Sequence, residues 1–210
     1  MGIAEPRKRD GQLRRRELCD AAIDVMAEQG SRGLSHQRVD RRAEVPDGTT
    51  SYYYRTRAAL LHGVAERIAE IDTENLQSVI DASDPAGSPF ARLAALVIVQ
   101  ADGPGLQLNK ARHELLLAST RDAELAAVQQ KFGTHIRALT RDAVGHLGTS
   151  GSDDDPELVA AQGAAISTFI SGMFTRFVVG SAEITTADEL ELLLRAIVTA
   201  VSEVHQHARH

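Results

Sequence analysis

Apolar side chains recur at helical spacing along most of the chain. Those from Leu18 to Met26 lie three or four positions apart, on one face of a helix that Gly30 is predicted to end. The same spacing predicts further helices over Ala58–Ile80, Phe90–Ala101, Leu106–Ser119, Ala123–Leu147, Glu157–Val179 and Ala187–His207. No stretch shows sustained alternation with a period of two, so the sequence predicts an all-α fold.

The last two predicted helices are apolar on more sides than a surface helix requires. Small residues such as Gly163 allow another helix to come close, and phenylalanines supply apolar area. A helix that is apolar all round must be covered, so a second subunit is the simplest partner, with packing inside one chain as the alternative. The predicted dimer interface comprises Phe169, Gly172, Phe174, Phe177, Leu190, Leu194, Ile197 and Val201.

Residues 35–57 show a different pattern, that of two short helices around a tight turn. Ser35 suits the first N-cap, and Val39 and Ala43 share the buried face of that helix. The sequence Pro-Asp-Gly then breaks one helix and starts the next. The Thr-Thr-Ser-Tyr-Tyr-Tyr run that follows is a poor helix former, and three tyrosines cannot all be buried. Hydroxyls are therefore predicted to reach phosphates or base edges, as in a helix-turn-helix.

Charge is unevenly distributed along the 210-residue chain, whose net charge is −6. Residues 1–57 carry 12 basic and 9 acidic side chains, whereas residues 58–210 carry 11 and 20. Attraction to phosphate therefore lies with the helix-turn-helix. Residues 7–16 hold six basic side chains and one acid. We predict that residues 1–16 form a basic arm that reaches phosphates or the minor groove, with a disordered tail as the alternative.

The stretch from residue 14 to residue 64 resembles the N-terminal domain of the TetR family of transcriptional regulators. In that family an Ala-Ala pair, a glycine and a Ser or Thr cap precede a helix-turn-helix that ends in Gly-Thr-x-Tyr-x-x-Phe and a basic residue. The matching residues are Ala21, Ala22, Gly30, Ser35, Val39, Ala43, Val45, Gly48, Thr49, Tyr54, Arg57 and Leu60. The resemblance covers less than a third of the chain.

Four positions depart from the family pattern. They are Asp40 for alanine, Glu44 for glycine, Ser51 for tyrosine and Arg57 for lysine. The family's tyrosine often contacts a phosphate, so Tyr52 or Tyr53 is expected to take that role here. Tyr54 stands where the family buries phenylalanine, and it is expected in the core.

The resemblance implies a three-helix DNA-binding domain over residues 14–60 and a helical ligand-binding and dimerisation domain over residues 61–210. The last helix pair of each subunit would form a four-helix dimer interface. The dimer would read a near-palindromic operator, and a small-molecule effector would release this repressor. The predicted DNA contacts are His36, Gln37, Arg38, Asp47, Gly48, Thr49, Thr50, Ser51, Tyr52, Tyr53 and Arg57.

The middle helices would enclose the effector cavity in such a protein. Polar residues on otherwise apolar helices, with two nearby phenylalanines, are the candidate ligand contacts: Gln100, Gln107, Arg112, His113, Glu114, Phe132, His135, Thr168 and Phe169. Aromatic residues make up only 4% of the chain and Trp is absent. A mostly aliphatic cavity is therefore expected, rather than a stacked cage for flat cations.

The sequence carries no GxxxxGK[ST] phosphate loop, no GxGxxG after a strand and no HExxH, so no enzyme, cofactor or metal site is predicted. The single cysteine, Cys19, is interpreted as a small buried hydrophobe. No apolar run approaches membrane-spanning length and no signal peptide is recognisable, which favours the cytoplasm. The alternative function is an all-α small-molecule binding protein that has lost specific DNA recognition, to which Asp40, Glu44 and Ser51 give weight.

Overall fold

The computed structural model describes residues 6–81, 88–130, 134 and 155–207. Throughout these residues the chain forms helices and turns without any strand. This confirms the predicted all-α fold.

The helices follow one another with short connections in the described ranges. Their bounds are α1 Pro6–Gly33, α2 His36–Arg42, α3 Thr49–Tyr53, α4 Arg57–Asp81, α5 Pro89–Ile98, α6 Gly103–Ser119, α7 from residue 123 through the described residues to 130, α8 Pro156–Val179 and α9 Ala187–His207. A single 3-10 turn, Val99–Ala101, follows α5.

Helix termini account for most of the differences from the predicted bounds. The α6 helix begins at Gly103, three residues before the predicted Leu106, and Pro104 occupies its first turn, where a missing N–H costs nothing. Asp155 was expected in an acidic loop, but its Oδ1 accepts from the backbone N–H groups of Glu157 (3.1 Å) and Leu158 (3.2 Å) and caps α8. Most of the loop predicted over 148–156 lies outside the described residues.

Gly30 interrupts α1 as expected of a helix-ending glycine, although one further turn follows. Its φ of 71° lies in the left-handed region, and the helical segment 31–33 continues beyond the kink. The Ser31 backbone N–H released by this kink donates to Glu114 Oε2 at 2.7 Å.

The Cα positions divide the chain into two compact units. The first unit contains the described residues up to Glu70 together with Gln107–Gln130, and the second contains Ile71–Leu106 and the described residues from 155 onward. The units therefore do not follow the boundary predicted near residue 60, because the interior of the first unit includes buried Leu115 and Leu125 from α6 and α7.

The core of the second unit is built mainly from α5, α8 and α9, and Leu76 of α4 joins the same cluster. Phe90, Leu93 and Val97 of α5 pack with residues of α8 and α9 in one cluster of buried apolar side chains. The α8 and α9 members are Ile166, Met173, Phe177, Leu190, Leu194 and Val198. By length and composition alone α8 could cross a membrane, contrary to the expectation that no apolar run is long enough. Part of that apolar composition lies in this core, where Ile166, Met173 and Phe177 are buried.

Candidate nucleic-acid interface

The first helix of the helix-turn-helix is fixed by its cap and by one buried side chain. Ser35 Oγ accepts from the Arg38 backbone N–H at 3.4 Å, as predicted for an N-cap. Val39 is fully buried. The α2 helix also contacts both α1 and α3, so it anchors the turn to the rest of the first unit.

Asp40, the departure from the family's alanine, has a structural role that the sequence did not reveal. Its carboxylate accepts from the backbone N–H groups of Gly48 (2.8 Å) and Thr50 (2.7 Å) and from the Thr50 hydroxyl. Gly48 is the N-cap of α3 and provides no side-chain cap. Asp40 therefore caps α3 from the preceding helix.

The second short helix, α3, presents one polar face to solvent. Gly48 and Ser51 are exposed, and Tyr52 is 77% exposed with its ring edge-on to the Tyr53 ring. Thr50 is fully buried, so the prediction of a DNA contact there is corrected. Tyr54 is buried as expected, against Gly63, where an added Cβ would lie 2.5 Å from the tyrosine ring.

Arg15 braces α3 from α1. Its guanidinium lies over the rings of Tyr53 (5.4 Å) and Tyr54 (5.2 Å), and Nη1 donates to the Tyr53 carbonyl oxygen at 3.0 Å. Residues 6–16, which were predicted to form an arm ahead of the first helix, are part of α1. Arg16 also pairs with Glu70 at 3.2 Å. This part of the predicted arm is therefore helical, and some of its cations are engaged within the first unit.

Three of the predicted DNA contacts donate to backbone carbonyl groups within the first unit. Arg38 Nη1 donates to Gly33 O at 2.7 Å, and Arg57 donates to Leu34 O at 3.3 Å and also to Ser31 O. His36 Nε2 lies 2.6 Å from the Tyr54 carbonyl oxygen, which can only accept, so this nitrogen carries the proton. These hydrogen bonds help to hold the helix-turn-helix in place. Arg38 and Arg57 are nevertheless exposed, so contact of these side chains with DNA stays a prediction.

Two basic residues outside the predicted set are better placed to meet phosphate. The side chains of Arg41 and Arg55 are exposed, and neither guanidinium group has a hydrogen-bond or ion-pair partner among the described residues. Arg55 lies directly after the tyrosine run, and this proximity was the sequence signal for it. Gln37, Asp47 and half-exposed Thr49 lie on the surface of the same unit, and their contact with DNA stays a prediction.

Glu44 is the remaining departure in this region, and its backbone conformation explains why the family has a glycine at this position. Its φ of 54° lies in the left-handed region, which a side chain disfavours by about 1–2 kcal/mol. The turn is retained because Glu44 N–H donates to Arg41 O (3.3 Å) and Val45 N–H to Asp40 O (3.0 Å). Nothing about Glu44 or Asp40 removes the exposed face of α3.

Cys19 and Tyr54 form a buried polar pair beneath α3. Cys19 Sγ and the Tyr54 hydroxyl are 3.1 Å apart. Burial raises the pKa of the Cys19 thiol from its ordinary 9.0 to about 11, with the hydrogen bond from Tyr54 partly opposing this. Burial, followed by the hydrogen bond to Cys19, raises the pKa of Tyr54 as well. The thiol is therefore a poor nucleophile at neutral pH.

We expect this pair to make the protein less stable at alkaline pH. The unfolded chain releases the thiol proton near pH 9.0, whereas the folded chain holds it until about pH 11. The contribution is complete below pH 9 and is lost as the pH rises to 11, by about 2–3 kcal/mol for a two-unit shift. Denaturant unfolding across this range should show a steeper loss for the wild type than for Cys19→Ala. Parallel curves would contradict the assignment.

The predicted effector contacts are divided between the two units. In the second unit, Gln100 is buried, and its Oε1 has no hydrogen-bond partner among the described residues. Phe169 packs on the same unit's core, and Thr168 is exposed and donates to Ala164 O at 2.8 Å.

The candidates on α6 belong to the first unit. Arg112 and His113 both bind Asn109, and Glu114 accepts from Ser31 N–H. Each of these three predicted effector contacts therefore has a hydrogen-bond partner within the chain. Gln107 is half-buried. Phe132 and His135 lie outside the described residues.

The faces of α8 and α9 correct the predicted dimer interface. Phe177, Leu190 and Leu194 are buried in the core of their own chain, so they are not free to meet a second subunit. Phe169, Phe174 and Ile197 pack partly against that core, and Val201 is half-buried. Gly172 is exposed, in agreement with its predicted place on the interface. The other exposed residues at helical spacing are Ala161, Ala164, Thr168 and Thr175 on α8, and Leu192, Ala196, Ala200 and Val204 on α9.

Comparisons with known proteins agree with this architecture. Residues 85–201 match the family model of the tetracyclin repressor-like C-terminal domain. Among curated proteins, none matches the sequence. A member of the TetR family from Streptomyces coelicolor A3 is 24% identical, with a TM-score of 0.65 over 88% of this chain and 97% of the other.

Two further solved structures share the fold. A putative transcriptional regulator from Pseudomonas aeruginosa PAO1 is 21% identical, with a TM-score of 0.71 over 98% of this chain and 96% of the other. The multidrug binding protein EbrR complexed with ethidium is 22% identical, with a TM-score of 0.59 over 92% and 99% of the two chains. Because the family model matches more than half of the chain and the helix-turn-helix precedes that match, the protein belongs to the TetR family of transcriptional regulators.

Proposed function

We propose that the protein is a homodimeric one-component repressor that binds a near-palindromic operator and is released by a small-molecule effector. The observation that carries this proposal is the exposed face of α3, which is rich in hydroxyl groups and is capped by Asp40 and braced by Arg15. A short protruding helix held on a packed unit is how a helix-turn-helix presents side chains to the major groove.

The DNA contacts that we propose combine base-edge and phosphate partners. Ser51 and Tyr52 of α3 supply exposed hydroxyls, and the Asp47 carboxylate can accept from a cytosine amino group. Arg41 and Arg55 would neutralise phosphates beside the groove, because both are exposed cations. Gln37, Gly48, Thr49 and Tyr53 complete the surface, and His36, Arg38 and Arg57 support it through hydrogen bonds to backbone carbonyl oxygens.

Dimerisation is supported by the outward faces of α8 and α9. Small residues on α8 allow close helix approach, while Leu192 and Val204 on α9 are each 70% exposed. Leaving large apolar side chains in water is unfavourable, and a twofold partner would cover both helices at once. A dimer also places two α3 helices on the two halves of a palindrome.

The effector would bind in the second unit, near buried Gln100 and Phe169. The buried Gln100 Oε1, which has no partner among the described residues, offers one hydrogen-bond acceptor to a ligand with a donor group. A solved protein of the same fold, EbrR, is a multidrug binding protein, which supports a small organic effector. To release operator DNA, the effector must bind more tightly to a dimer whose two DNA-binding units are spaced wrongly for the operator than to one whose spacing fits it. We place the protein in the cytoplasm, where its operator would be accessible.

Selection of genomic fragments with the purified protein at near-physiological salt tests this function. We expect one near-palindromic site to be enriched. The affinity for this site should fall as salt is raised, because protein binding releases cations from the phosphates and added salt makes that release less favourable. The matched control is the same selection with Tyr52→Ala, which keeps the fold and removes an exposed recognition side chain. Enrichment of nothing beyond a salt-sensitive background would favour the small-molecule binding protein without DNA recognition.

A further inference from the structure

The Asp40 carboxylate is a buried charge that serves the recognition helix without being able to touch DNA. Only 1% of the residue is exposed, and it lies on α2 rather than on α3. Its Oδ2 accepts from Gly48 N–H, and its Oδ1 accepts from Thr50 N–H and from the Thr50 hydroxyl. Thr50 is itself fully buried, so this polar pair is sealed inside the first unit.

The short α3 helix needs this support. Five residues are too few for a helix to be stable in water, and the first N–H groups of any helix have no partner within it. The N-cap is Gly48, whose φ of 91° permits the tight turn but which has no side chain to accept a hydrogen bond. A carboxylate at this end satisfies those donors and opposes the positive end of the helix dipole.

We propose that Asp40 is a positioning residue for operator recognition. It holds the N-terminus of α3 at a fixed place relative to α2, and thereby sets where Ser51 and Tyr52 meet the bases. The inference rests on the proposed DNA-binding function. It reverses the weight that the sequence gave to Asp40, which as an acid in place of alanine suggested lost DNA recognition.

Charge and position make opposite demands on this residue. A negative charge near phosphate weakens binding to any duplex, so its removal alone would strengthen both specific and unspecific binding. Loss of the α3 anchor would instead weaken binding to the operator and leave attraction to unrelated duplex unchanged or stronger. The ratio of the two affinities therefore separates the two effects.

The experiment measures binding of the full-length protein to the selected operator and to a scrambled duplex of equal length at fixed salt. For Asp40→Ala, the ratio of operator to scrambled affinity should fall by about 10- to 100-fold, as expected when buried donors lose their acceptor. Asp40→Asn keeps one oxygen for Thr50 and places an amide N–H₂ against Gly48 N–H, so its ratio should be intermediate. Glu66→Ala, which removes an exposed acid from the same unit, should leave the ratio unchanged.

Several outcomes would overturn the proposal. Equal or tighter operator binding by Asp40→Ala would show that the carboxylate acts only through its charge. An equal loss on both duplexes would show a general folding role. If Asp40→Ala does not fold, Asp40→Asn decides, and an unchanged ratio there rejects the positioning role. A wild-type protein that binds both duplexes equally would contradict the proposed function itself. The wild-type measurement identifies that outcome separately from the behaviour of the variants.

Discussion

Replacement of Gly172 by arginine is expected to separate the dimer into monomers and to abolish tight operator binding. Gly172 lies on the exposed face of α8, and a Cβ added there meets nothing within 4 Å in its own chain. An arginine is therefore tolerated by the isolated subunit. In the proposed dimer, however, it places two bulky charges at a twofold interface that is lined by small residues.

The loss of operator affinity should be large because binding of two linked heads is multiplicative. When one head is bound, the second meets its half-site at a high effective concentration, which is worth about 10²- to 10⁴-fold. Sedimentation equilibrium would measure the molecular mass in solution, which distinguishes monomer from dimer, and titration of a labelled operator would measure the affinity for DNA. Ala95→Arg, on an exposed position of α5 outside this face, is the matched control and should remain dimeric. A dimeric Gly172→Arg protein would show that the interface lies elsewhere.

Replacement of Tyr52 by alanine should weaken operator binding by about 10- to 100-fold, the range expected for one specific base or backbone contact in the groove. The side chain is 77% exposed, so it contributes little to the folded state, and the free energy of unfolding should change by less than about 0.5 kcal/mol. The effect would therefore be on recognition alone.

A second substitution separates the two parts of the Tyr52 side chain. Tyr52→Phe keeps the ring that lies edge-on to Tyr53 at 5.2 Å between centroids and removes the hydroxyl. If the hydroxyl donates to a phosphate or a base, Tyr52→Phe should lose most of the affinity that Tyr52→Ala loses. Operator titration alongside thermal unfolding measures both quantities. Unchanged affinity of Tyr52→Ala would place the recognition surface away from this residue.

Local spacing was sufficient to predict most of the described helices, although not the start of α1 at Pro6. Most of the helix predicted over Ala123–Leu147 lies outside the described residues. The α9 helix runs over Ala187–His207 as predicted, because its apolar residues repeat every three or four positions and its first turn is acidic. Tyr54 and Cys19 were expected to be buried and are buried. For Cys19 the signal was its apolar neighbours in the sequence, whereas the expectation for Tyr54 came from the family resemblance, which places a buried phenylalanine at this position.

The choice of face on the last two helices could not be made from the sequence. The α8 helix carries apolar residues on nearly every side. Periodicity alone therefore does not distinguish Phe177, which packs in the core with α5 and α9, from Gly172, which is exposed. Large side chains were assigned to the interface, although the intrachain core took several of them. The smaller residues were left on the outside, where a close helix partner would fit.

The support of the helix-turn-helix was hidden for a related reason. Asp40 and Thr50 are ten positions apart and meet only because the turn folds back, so neither residue type signals the contact. Arg38 and Arg57 were interpreted by charge, whereas carbonyl oxygens at Gly33 and Leu34 determine their orientation. Such partners depend on tertiary geometry that a linear pattern does not contain.

The contact between Ser31 and Glu114 determines how this protein can be recombined with its relatives. Glu114 lies 83 residues further along the chain, yet it accepts the backbone N–H freed by the kink at Gly30. A chimera that transplants only residues up to 70 would leave this N–H without its acceptor and would uncover the side of the head that α6 and α7 complete. Transferring the DNA-binding unit to the ligand-binding domain of a relative therefore requires two separate segments of this chain, residues 6–70 and 107–130.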